Sequence, residues 1–96
     1  MTLIDFEESI SEASAPQDLS SPLQALWIDA KGDWDEAHRI VQSLSDVDSA
    51  WVHAYLHRKE GDLSNASYWY HRSGKTMPDL PLPDEWQSIV QALLPD

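Results

Sequence analysis

Gly32-Asp33-Trp34-Asp35-Glu36-Ala37 recurs in outline 29 residues later as Gly61-Asp62-Leu63-Ser64-Asn65-Ala66. A glycine followed by an aspartate stops one helix and caps the next within two residues, and helix-forming sequence flanks both copies. The chain is therefore one helical hairpin written twice, which predicts an all-α interaction scaffold.

With 96 residues there is room for one small domain and one core. An apolar fraction of 42% with five tryptophans is ample to fold it. Six basic residues stand against 17 acidic ones, a net charge of −11 that repels nucleic-acid phosphates and anionic membranes alike. The charge is uneven: residues 1–50 hold two basic and 11 acidic groups, residues 51–96 four and six. There is no cysteine, which removes disulfides, thiolate ligands and thiol nucleophiles. The acidic start lacks the basic region of a signal peptide, and no apolar run approaches the ~20 residues of a membrane span, so a cytoplasmic protein is expected.

Capping residues and apolar spacing predict about six helices. The first covers about 3–14, with Leu3, Phe6, Ile10 and Ala13 as its stripe and Thr2 as cap. After a Ser/Pro loop, Ser21-Pro22 opens a second helix that ends at Gly32. The third runs from Asp33 to near Ser45 on Ala37, Ile40, Val41 and Leu44. Asp46 or Asp48 caps a fourth that ends at Gly61, and Asp62 caps a fifth that ends at Gly74. The hairpins thus occupy about 21–45 and 48–75. Three prolines make 76–83 an extended connector, after which Asp84 caps a last helix over 84–94. Trp86, Ile89, Val90 and Leu93 give that helix one apolar face, expected to cover the open end of the stack. The glycines stand singly at helix ends and no Gly-x-Ser-x-Gly elbow exists, so no nucleotide cofactor or serine nucleophile is indicated.

The two hairpins resemble tetratricopeptide repeats. Ala25 and Ala54 match the small crossing position of the first helix, Ala37 and Ala66 that of the second, Val41 and Tyr70 the large apolar position, and Pro78 the closing proline. The offset of 29, Ser49 in place of a proline, and His53 and His57 in place of Leu and a Tyr-like residue depart from the pattern. The stretch 51–75 also resembles one in small bacterial proteins of unknown function. The repeat resemblance implies a protein- or peptide-binding module whose groove is lined by Leu26, Asp29, Trp51, Tyr55 and Arg58, with N- and C-terminal helices capping the hairpins.

Residues 51–75 hold five of nine aromatics, three of four histidines and four of six basic residues. The contact surface is accordingly placed on Trp51, His53, Tyr55, His57, Arg58, Tyr68, His71 and Arg72, with another protein or an acidic peptide as partner. Arg58→Glu with Arg72→Glu is expected to weaken capture and leave helicity intact. His53, His57 and Glu60 share one helix face and could ligate a metal, completed by His71 or Asp62; packed, hydrogen-bonded histidines are the reading preferred, with no metal assigned. Trp27, Trp34, Trp69 and Trp86 are read as core. A small metal-dependent or histidine-using enzyme and a structural homodimer are the rival readings.

Overall fold

A computed structural model describes residues 1–95. The chain is all-α, with six helices among these residues: α1 (Leu3–Ser9), α2 (Ser21–Ala30), α3 (Trp34–Gln42), α4 (Val47–Glu60), α5 (Leu63–Ser73) and α6 (Leu82–Leu93). None is long and apolar enough to cross a membrane.

The two Gly-Asp turns take the same local conformation. Gly32 and Gly61 sit in the left-handed region at φ 93° and 90°, and the carboxylates of Asp33 and Asp62 accept from the backbone N–H groups of Glu36 and Asn65. An alanine at position 61 would meet no atom within 4 Å. Its cost is therefore purely conformational: Gly61→Ala should lower stability by about 1 kcal/mol, read as a fall in the urea midpoint at unchanged slope.

Helix α2 packs on α3, and α4 on α5, while α4 also touches α2, α3 and α6. This central position explains why α4 buries Ala50, Val52, His53, Ala54, Tyr55, Leu56 and His57 rather than one narrow stripe. Ala25, Ala37, Ala54 and Ala66 are fully buried, and small side chains there let neighbouring backbones approach closely. Phe6, Leu23, Leu26, Val41, Val52, Leu56, Ile89 and Val90 belong to the main core, and Ala54, Ala66 and Tyr70 form a second cluster between α4 and α5.

Four boundaries differ from the sequence expectation, and one of them is the end of α3, at Gln42 rather than near Ser45. Helix α1 ends at Ser9 rather than near residue 14, because the Ser9 and Ser11 hydroxyls donate to the carbonyls of Phe6 and Glu8 and compete with helical continuation. Ser20, not Ser21, caps α2. The last helix begins at Leu82, two residues before Asp84, since a proline in a helix's first turn lacks only an N–H that would have no helical partner.

The placement of α6 is also corrected. It lies against α4, α2 and α1, not over the end of the stack at α5. Trp86 Nε1–H donates to the Leu26 carbonyl at 3.0 Å, and the Trp86 ring lies 5.8 Å from that of Phe6. Of the residues expected to line a groove, Leu26, Asp29 and Tyr55 are buried. Of the four tryptophans read as core, only Trp27 is buried; Trp34, Trp69 and Trp86 are half-buried at the edges of the clusters.

Candidate functional site

The eight residues singled out in 51–75 separate into an inner and an outer group. The inner group begins with His53 and His57, one turn apart on α4 and both buried. Helix α3 adds His38, which sequence reasoning passed over. His38 Nε2 lies 3.1 Å from His53 Nε2, and the three ring centroids stand 4.8–5.0 Å apart. The signal in the sequence was Trp34-x-x-x-His38, one helical turn beside the Ala37–Val41 stripe.

Local structure fixes these rings. Trp34 stacks on His38 at 4.9 Å and 8°, and is itself held by its Nε1–H donating to the Leu56 carbonyl at 2.8 Å. Trp69 of α5 stacks on His53 at 4.0 Å. His57 Nδ1 lies 2.6 Å from a Glu60 carboxylate oxygen, and the neutral tautomer that donates there carries its lone pair on Nε2. His53 Nδ1 is buried without a hydrogen-bond partner among the described residues. Burial first, then the neighbouring imidazoles of His57 and His38, pushes His53 down to about 4; burial and His57 also lower His38. His53 and His38 therefore favour the neutral form.

Arg58 and Tyr55 belong to the fold rather than to a surface. Arg58 Nη1 donates to Glu85 Oε1 at 2.7 Å, its Nη2 to the Leu80 carbonyl, and Tyr70 OH to Glu85 Oε2. Burial, followed by the Glu85 carboxylate, raises the Tyr70 hydroxyl above the ordinary tyrosine range. Tyr55 is raised likewise by burial and by the nearby Asp29 carboxylate, which accepts from Lys59 Nζ at 2.9 Å. Tyr55, Asp29, Lys59 and Trp86 line an open groove of about 470 Å³. A glutamate at position 58 would face Glu85 inside the protein, so that substitution tests folding, not capture.

The outer group lies on α5 and the adjoining edge of α4. Tyr68, His71 and Arg72 are exposed, and Trp51 is half-buried. The Arg72 guanidinium lies 5.4 Å from the Trp69 ring and 5.8 Å from that of Tyr68, and donates to Tyr68 OH at 2.9 Å. Lys75 Nζ stands 4.4 Å from the Trp51 ring. Sequence reasoning placed Trp69 in the core and thereby missed that it joins both groups, with His53 stacked on it and Arg72 over it.

The charges around this face are informative. Arg39 pairs with Glu36, Arg58 with Glu85 and Lys59 with Asp29. Lys31 donates to the carbonyls of Ile10 and Glu12. Among the described residues only Arg72 and Lys75 are left with neither a carboxylate nor a carbonyl partner. No family model, curated protein or solved structure matches this chain, so the functional reading rests on its own geometry.

Proposed function

We propose that this chain is a partner-binding helical module that takes a carboxylate-bearing protein segment on the outer face of α5 and the Trp51 edge of α4. The observation that carries this reading is the pair of cations without a carboxylate partner among the described residues, Arg72 and Lys75, lying over Tyr68, Trp69 and Trp51 on a protein of net charge −11. In so acidic a chain, cations that meet no carboxylate among the described residues are available to one from outside. Arginine offers a planar fork of donors, the tyrosine hydroxyl another polar contact, and the rings a rigid apolar floor. The doubled hairpin and its likeness to tetratricopeptide repeats support an interaction scaffold, and the lack of cysteine in so small a domain favours a cytoplasmic setting.

The test is an NMR titration with a short peptide rich in glutamate and leucine. Shift changes should concentrate on residues 51 and 68–75, and the interaction should weaken with added salt. Arg72→Glu with Lys75→Glu should lower affinity by about tenfold or more while leaving the circular dichroism unchanged. Equal affinity in the double variant, or shift changes on α1 and α3 instead, overturns this placement.

A further inference from the structure

We propose that His38, His53 and His57 form a three-histidine site for a divalent transition-metal ion of the zinc class, with Glu60 as the carboxylate that orients His57. The site shares Trp69 with the partner surface on α5 but none of that surface's cations. One ligating nitrogen from each of the three rings falls within a group whose members all lie within 4.8 Å of one another. Two nitrogens each 2.0–2.1 Å from a tetrahedral ion are roughly 3.3 Å apart, so the 3.1 Å between His38 Nε2 and His53 Nε2 is close to the spacing an ion needs.

Geometry beyond the distances favours an ion over a packed cluster. If His38 and His53 share a proton, that hydrogen bond uses one nitrogen of each and does nothing for the third ring. A metal accepts lone pairs from all three at once. His57 Nδ1 faces the Glu60 carboxylate at 2.6 Å, and the tautomer that donates there presents Nε2 to an ion, the carboxylate–histidine arrangement that orients metal ligands. Trp34 and Trp69 clamp the other two rings by stacking. An all-imidazole donor set suits zinc, copper, nickel and iron and disfavours magnesium and calcium. His38 is only half-buried, so an ion can enter from its side, and a fourth position stays open to water or another ligand.

The neighbouring group His57, Glu60 and Asp62 supplies the competing site, since it also brings three ligand atoms together, two of them on exposed residues. The two sites share His57 and differ in His38 and Asp62. That difference makes the assignment testable.

The experiment uses full-length protein without an affinity tag, stripped with a chelator and desalted. Zinc titration followed calorimetrically should give one ion per chain and raise the melting temperature. Cobalt(II) should give the intense visible bands of a tetrahedral nitrogen-rich site, and copper(II) should quench the tryptophan emission, because Trp34 and Trp69 lie against two of the ligands. His38→Ala should weaken zinc affinity at least 100-fold, and Glu60→Gln, a change at an exposed position, about tenfold. His38→Ala protein that keeps its native circular dichroism and still binds zinc with unchanged affinity overturns the proposal, as does a loss confined to Asp62→Asn. Absence of stoichiometric binding to folded wild-type protein overturns it outright.

Discussion

Replacing Arg58 by methionine should lower the stability of this domain by about 3–5 kcal/mol, a large share of the roughly 5–15 kcal/mol that holds a domain of this kind together. The reason lies in Glu85, which is 2% exposed and, among the described residues, holds only two side-chain donors, the Arg58 guanidinium and the Tyr70 hydroxyl. Methionine keeps much of the stem volume but leaves a carboxylate buried against a single phenol, and removes the donor that ties down the Leu80 carbonyl ahead of α6. The same buried ion tethers three elements, since Arg58 comes from α4, Tyr70 from α5 and Glu85 from α6. Loss of the arginine should therefore loosen α6 first. At about 4–8 °C per kcal/mol for a chain of this length, the melting temperature should fall by more than 10 °C. Adding Glu85→Gln to Arg58→Met should recover most of the loss, because a neutral amide still accepts from Tyr70 and no longer needs a countercharge. The check is urea denaturation of both variants alongside the wild type. A single variant within 1 kcal/mol of wild type, or a double variant no better than the single, would show that Glu85 is not held as a buried ion.

The same residues mark the limit of what could be read from the sequence. Helix number, helix type and most boundaries were legible because the signals are local: aspartates three residues before the N–H groups they cap, and glycines where φ must be positive. The position of α6 was not legible. It depends on Arg58 finding Glu85 across 27 residues and on Trp86 finding the Leu26 carbonyl across 60. Charged residues near helix ends are ordinarily solvated, so Arg58 reads as surface until the partner is known. The histidine cluster was half legible: the one-turn spacing of His53 and His57 put two rings together, and the Glu60 contact followed from the same face. His38 comes from another helix and depends on the register of α3 against α4, which no local pattern records. On the outer face, Tyr68 and Arg72 were legible because a four-residue spacing on an exposed helix face brings them within contact.

In chelator-treated protein, stability should fall by about 2 kcal/mol between pH 7 and pH 5. His53 is neutral in the folded chain with its pKa pushed down to about 4, against an ordinary value of 6.5. The unfolded chain therefore binds the extra proton as pH drops below about 6.5, and folding becomes less favourable until the folded value is reached near 4. The stabilising contribution is complete above 6.5 and lost toward 4, the reverse of a histidine held charged by a carboxylate. The groups facing His53 reinforce this direction: His38 from α3 and His57 beside it on α4 both repel a proton there, and α5 presents Trp69 with Arg72 over its ring. Asp35 and Glu60 oppose the lowering, but they act on His38, which remains shifted downward by burial and by His57. The carboxylates held low by hydrogen bonds, Asp46 through Ser49, Glu36 through Arg39 and Asp5 through Thr2, lose stability only below their ordinary values near 4. Relief of the net charge of −11 likewise belongs to that lower range, so the window from pH 7 to pH 5 isolates the histidines. Urea midpoints measured across it should decline steadily, and His53→Gln should flatten most of the slope, because an amide occupies the same space without titrating. A wild-type profile flat from pH 7 to pH 5 would mean that His53 takes up its proton as readily in the folded chain as in the unfolded one.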